Sequence, residues 1–311
     1  MQIWNKDSNI KTEVHKYESI VSPVKPFIIW TLQRTGGTNF TNKLVKLSGL
    51  KKTQDEPFNR KRELGYITTE WLQDGNKKRL RESIRDVYNS GCCIKHSIEQ
   101  VPWAISKTLV KESRFAEYNH LFLYRKNPLN RLLSLEYARR TGVWGRRHLP
   151  NSKNDDVAFK KPLDVHKLIR HERWCMRLLS AAWQLLNDQG KKPVAISFEE
   201  IYEQDVRKAE YNILNILNNL ELSQSCNKNK KFIQLVRGNG CQGTSNRYDN
   251  FVDKEKIVQK IKKSDHFKPD RSSTGCSVWK LSLVDKWNRL KFNLKRRNDV
   301  FKKRFGFNSK T

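Results

Sequence analysis

The chain has 311 residues and a formal charge of +30, from 62 Lys and Arg against 32 Asp and Glu. That length suits one large α/β domain with insertions or a tail, and 37% hydrophobic residues with nine tryptophans can fill a core. The charge excludes indifference to anions: a nucleotide, an acidic glycan, nucleic acid or an anionic membrane surface are all suitable partners, and charge alone does not choose. No run of about 18 apolar residues is present, so no membrane span is expected. Six cysteines without a C-x-x-C pair exclude a zinc pattern or a dense disulfide framework. The opening MQIWNKDSNIK carries no apolar signal core, and reduced thiols in a cytoplasmic setting follow as the expectation.

Residues 1 to 22 read as a polar lead-in. Phe27 to Leu32 is a short apolar run, consistent with a central parallel strand. Gln33 to Gly37 breaks it with two adjacent glycines. Thr38 then reads as a helix cap, with Phe40, Leu44 and Leu47 at helical spacing. A strand, a glycine turn and a helix N-terminus together form an anion site, because the first-turn amides point outward and the helix dipole favours negative charge. Arg34 adds a cation suited to phosphate or sulfate. The plainer reading is a turn and nothing more. The nucleotide-kinase pattern, Lys then Ser or Thr after the second Gly, is absent, which argues against ordinary ATP or GTP hydrolysis.

TQDEPFN, residues 53 to 59, reads as a loop. Asp55 and Glu56 are either solvated loop charges or, for Glu56, a general base beside the anion loop. Lys77 to Tyr88 is a helix. Gly91 to Ser97 is a second buried strand that ends in Lys95 and His96, where open α/β sheets bind ligands. Strand alternation sends those two side chains to opposite faces. Pro102 to Ala116 is a helix and His120 to Tyr124 a third strand. Arg125 and Lys126 precede a helix begun by Asn127-Pro128, with Ser134 about two turns in. These three are a phosphate clamp or a capped helix with surface cations. Residues 142 to 164 form a polar loop, Val165 to Asp188 a long amphipathic helix, and Pro193 to Phe198 a fourth strand. Val206 to Leu220 is a further helix, and residues 238 to 251 form a glycine-rich loop holding Arg247. In residues 266 to 311, Trp279, Leu283, Trp287, Leu290 and Leu294 recur at helical spacing among Lys and Arg clusters. That tail is a terminal helix packed on the domain with a solvated basic face, or else an anionic-surface anchor or polyanion clamp.

Gln-Arg-Thr-Gly-Gly-Thr resembles the 5′-phosphosulfate loop of sulfotransferases that use 3′-phosphoadenosine 5′-phosphosulfate (PAPS). Arg34, Thr35, Gly36 and Thr38 match; Gln33 replaces a proline and Gly37 a hydroxyl residue, with Asn39 next in the helix. The segment holding Glu56 resembles the Glu-Pro-Phe-like stretch of bacterial carbohydrate sulfotransferases, where the acidic residue is a proposed base. Lys95 and His96 resemble the lysine and catalytic histidine of cytosolic members, with His96 one residue closer than in that pattern. Lys126 and Ser134 are similar to the family's 3′-phosphate site, which joins a strand-end Arg to a Ser eight residues on, with Arg125 as a substitute for Lys126. Glu199 falls where the family carries an acidic residue that supports the site from behind, and Arg247 lies where it closes a late loop over the nucleotide.

The resemblance covers roughly residues 26 to 255. It implies a P-loop NTPase-like parallel sheet over residues 23 to 265, PAPS as donor, no metal, and a hydroxyl acceptor, best a glycan. Glu56 would act as first base, His96 as second, and Lys95 would stabilise charge. Two rivals stand beside it: a P-loop kinase or nucleotide hydrolase with a degenerate loop, and a non-enzymatic nucleic-acid-binding protein.

Overall fold

The computed structural model describes residues 24–50, 53–144, 159–222, 226–238, 250–261, 267, 269 and 278–304. The lead-in, Arg247 and most of the 238 to 251 loop lie outside the described residues. The architecture is α/β: five parallel strands in the order β2-β3-β1-β4-β5, flanked by helices.

In chain order, β1 is Phe27–Thr31, α1 Gly37–Ser48, β2 Thr53–Asp55, α2 Gly65–Asp74, α3 Lys77–Asn89 and β3 Cys93–Ser97. Next come α4 Trp103–Glu112, β4 Asn119–Tyr124, α5 Pro128–Thr141, α6 Val165–Asp188 and β5 Val194–Ser197. Five more helices follow: α7 Phe198–Tyr202, α8 Val206–Asn219, α9 Cys226–Gly238, α10 Lys254–Ile261 and α11 Val278–Arg304.

β1 is buried along its whole length, as a central strand must be. Its side chains alternate between two apolar layers. Ile28 and Trp30 join a layer with α2, α3, α4 and α6, while Phe27 and Ile29 join one with α1, α8 and α9. The same parity runs through β3 and β4, where Ile94 and Phe122 face the first layer and Cys93 and Leu121 the second. A third apolar cluster joins α5, α6 and α10 around Tyr137, Phe159 and Phe251.

The chain leaves β1 toward β2 and β3 on one side, then crosses to β4 and β5 on the other. The direction of winding therefore reverses at β1. In an open parallel sheet that reversal opens a crevice at the strands' C-terminal ends.

The four expected strands are present, and a fifth was missed. Residues 53 to 55, expected as loop, form the edge strand β2, too short to show a period of its own. Helix α1 begins at Gly37, one residue before the expected cap. Gly36 occupies the cap position in a left-handed conformation with φ 75°, and no side chain caps the helix. Helices α2, α7, α9 and α10 were not anticipated, and Phe198, expected as the end of β5, instead begins α7.

The tail helix α11 does pack on the domain, but with a different face from the one its apolar repeat suggested. Leu281 and Asp285 are buried against the body, whereas Leu283, Trp287, Leu290 and Leu294 are exposed. Asp285 accepts hydrogen bonds from the backbone N–H of Trp103 at 2.8 Å and of Ala104 at 2.5 Å. It thus caps the start of α4 from 182 residues away. Asn293 donates to the Leu72 and Gln73 carbonyls at the end of α2, and the Arg289 guanidinium lies 5.3 Å from the Trp71 ring centroid. Burial raises the Asp285 carboxyl to about 6 against the pull of those two amides. Asp285→Ala is expected to lower the unfolding free energy by about 2 kcal/mol in denaturant titrations, because two helix-start amides lose a charged acceptor. Asp285→Asn should recover part of the loss.

Candidate functional site

The turn after β1 is built from the inside. Thr35 is fully buried, and its hydroxyl donates to the Leu32 carbonyl at 2.7 Å and meets the Thr31 hydroxyl. Thr31 in turn donates to the Leu123 carbonyl of β4 at 2.9 Å. The Thr35 side chain therefore holds the turn together and offers its hydroxyl to no ligand. Arg34 takes φ 67°, a left-handed conformation uncommon outside glycine. A Cβ on Gly36 would meet the Phe198 ring at 3.1 Å, and one on Gly37 would meet Lys95 Cε at 3.2 Å. Glycine at 37 leaves room for the lysine to pass behind the helix start. No acidic residue sits in the first turn of α1, so the helix itself brings no negative charge to that end.

Lys95 reaches this turn because of its register. It pairs with Ile29 in the sheet and shares the face that α1 covers. The buried ammonium donates to Thr38 Oγ1 at 2.9 Å, Asp55 Oδ1 at 2.8 Å and Glu56 Oε1 at 2.8 Å. Glu56 follows directly on β2, with φ 54°, and its N–H donates to the Lys95 carbonyl at 2.8 Å. Its carboxylate also accepts from Ser97 Oγ at 2.8 Å and Gln100 Nε2 at 3.0 Å. Burial works to raise the Glu56 carboxyl. The Lys95 charge and hydrogen bond, with Ser97 and Gln100, outweigh it and hold the group below its ordinary value.

His96 takes the opposite face. It is buried against Trp30 and Phe58, and its Nε2 is 2.9 Å from Ser106 Oγ of α4. Burial lowers it to about 3, only partly offset by Glu56. A neutral imidazole in an apolar layer, turned from the loop, does not serve as the second base expected for it.

On the other side of the turn, Arg34 Nε donates to Ser134 Oγ at 2.8 Å and Nη1 donates to the Trp144 carbonyl at 2.7 Å. Two residues expected to hold different parts of one nucleotide thus touch directly. Arg125 lies 3.7 Å from the centroid of the Phe198 ring, the same ring that crowds Gly36. Lys126 turns away to Glu200 at 2.8 Å. Glu199 accepts from the backbone N–H of Lys126 and of Asn127, each at 2.9 Å, and fixes the end of β4 from behind. Asn39 faces Tyr202 and the Val236 carbonyl, so its amide holds α9 instead of a ligand.

Sequence reasoning missed the residues that hold Gln33. Its N–H donates to Glu99 Oε1 at 2.6 Å, and its carbonyl accepts from Arg131 Nη1 at 3.4 Å. Arg131 is fully buried and ion-paired to buried Glu172 of α6. Burial opposes the Arg131 charge, and Glu172 more than restores it. The signal was present: Glu172 lies on the α6 face of Leu168, Cys175 and Leu179, where a charge needs a partner.

No protein-family model, curated protein or solved structure matches this chain.

Burial raises the Glu99 carboxyl from 4.5 to about 6, against the pull of Arg131 and the Gln33 amide. The folded protein then keeps a proton that the unfolded chain has released, so this group's contribution to stability is full at acid pH. It falls as pH rises from 4.5 through about 6. Glu99→Gln, which still accepts from Gln33, is expected to remove a decline of about 2 kcal/mol over that window. Denaturant unfolding of both proteins across the pH range checks it.

Proposed function

We propose that this protein is a sulfotransferase that moves a sulfuryl group from PAPS to an acceptor hydroxyl, on a carbohydrate. One observation carries the reading. Arg34 and Lys95, far apart in sequence, flank one helix N-terminus at the C-terminal end of the central strand, and Ser134 is bonded to Arg34. The donor set fits a phosphosulfate: first-turn amides of α1, a fixed guanidinium and a primary ammonium. Arg125 stands close by on Phe198 for the second phosphate.

In this reading the acceptor oxygen forms a bond to sulfur. The bond from sulfur to the bridging phosphate oxygen breaks, and its electron pair leaves with adenosine 3′,5′-bisphosphate. The hydroxyl proton passes to Glu56. Lys95 and the α1 amides stabilise the charge gathering on the leaving phosphate. Loss of one such donor costs about 3 kcal/mol in the barrier.

The Lys95 clamp also links donor binding to basicity. While Lys95 holds Glu56, the carboxylate is a poor proton acceptor. An anion seated at α1 draws Lys95 toward itself. Glu56 then keeps its burial and loses its chief lowering influence, and its pKa rises. The base is therefore strengthened by arrival of the donor.

Two experiments test the reading. In calorimetry, adenosine 3′,5′-bisphosphate is expected to bind without metal, about tenfold or more weakly in Arg34→Ala. Absence of bisphosphate binding overturns the proposal, and binding of ATP with magnesium in its place supports the kinase reading. Repeated near pH 5 in buffers of different ionisation enthalpy, bisphosphate binding should take up more protons in wild type than in Glu56→Gln, the exchange by the ligand's own phosphates being common to both. Equal uptake in both proteins removes Glu56 from the base role.

A further inference from the structure

Helix α11 carries two unlike faces. The inner one docks through Leu281, Asp285, Arg289 and Asn293, and Phe292 lies under the Arg60 guanidinium at 4.8 Å from its ring centroid. The outer one carries Leu283, Trp287, Leu290 and Leu294, with exposures of 51%, 55%, 50% and 50%. Spacings of four, three and four place these four side chains on a single stripe. By the same spacing, exposed Lys286 and Arg297 border the stripe on one side and exposed Lys291 on the other. Lys291 Nζ is 5.2 Å from the Trp287 ring centroid. Residues 278 to 304 include ten Lys and Arg but two Asp, of which Asp285 is turned inward.

We propose that this outer face is a peripheral membrane surface that lies on an anionic phospholipid bilayer. Trp287 and the three leucines enter the boundary between headgroups and acyl chains, and Lys286, Lys291 and Arg297 meet lipid phosphates. Long cationic side chains beside an apolar stripe can lay their stems along it while the charge stays at headgroup level. No helix among the described residues is long and apolar enough to cross a membrane, so the helix lies on the surface. A second copy of this chain is a poorer occupant, because pairing two such stripes brings like charges together. A nucleic acid would use the cations and leave the apolar stripe in water. This inference does not rest on the sulfotransferase reading.

The test is sedimentation of the full chain with vesicles of phosphatidylcholine alone and of phosphatidylcholine with phosphatidylserine. Binding is expected to the anionic vesicles, to fall with added salt, and to be weak to the neutral ones. Trp287→Ser/Leu290→Ser and Lys286→Glu/Lys291→Glu should each reduce partitioning about tenfold or more. Both should keep the wild-type thermal transition, since these side chains are exposed; Leu283→Ser/Leu294→Ser serves as a replacement for a pair that unfolds. Wild-type protein that fails to sediment with anionic vesicles overturns the proposal, as do folded variants that bind like wild type. A dimer in sedimentation velocity that the serine pair converts to monomer assigns the face to self-association instead. Loss of oligonucleotide binding in the glutamate pair alone, without vesicle binding, assigns it to nucleic acid.

Discussion

Ile29 pairs with Lys95 on one side and with Leu121 on the other, and the distances around the turn follow from that register. A strand paired on both edges cannot shift by one residue without sending Trp30 into the wrong apolar layer. The register therefore fixes where β1 ends and where the turn begins. It also fixes which β3 side chain lies behind α1. Had β3 slipped by one residue, His96 would stand where Lys95 stands, and the ammonium would be buried between Trp30 and Phe58. The placement of the side chains around the turn is thus set by hydrogen bonds in the sheet, at some remove from the turn itself.

Much of this was legible in the sequence. The apolar run at β1, the paired glycines and the alternation of Lys95 and His96 could each be read from spacing. Alternation had already set those two residues on opposite faces, and they lie there. Other features were hidden for physical reasons. β2 is three residues long, too short to display a period, so residues 53 to 55 passed for loop although β2 pairs with β3 and sets Asp55 and Glu56 beside Lys95. Thr35 was a candidate ligand through the loop's resemblance alone, and only the packed turn reveals that Leu32 and Thr31 use its hydroxyl. Arg131 and Glu172 were legible in principle, as charges set on apolar helix faces. Their meeting depends on how α5 crosses α6, which no local pattern records. The PAPS reading itself rests on motif resemblance and on the convergence of Arg34, Ser134 and Lys95.

The excess of positive charge is unevenly used. Near the turn the cations are matched: Lys95 by Asp55 and Glu56, Arg131 by Glu172, and Lys126 by Glu200. Such pairing orders the side chains around the turn and limits nonspecific attraction. On α11 exposed Lys286, Lys291 and Arg297 stand beside apolar side chains. One chain thus applies its charge in two ways: as oriented pairs where a small anion would be gripped, and as a broad field where a large surface would be met.

The contact of Asp285 with the start of α4 has a consequence for biosynthesis. The two partners are 182 residues apart, so α4 emerges from the ribosome long before its cap is made. At bacterial to eukaryotic elongation rates of about 5–20 residues per second, the interval is roughly 10–40 s. During that time the first amides of α4 face water, and the surface that Leu281 later covers is bare. The central sheet, with β5 complete by Ser197, can form in the interval and wait. The tail then closes last, like a keystone set after the arch, and a nascent chain halted before it would present its unfinished flank to the cell's folding helpers.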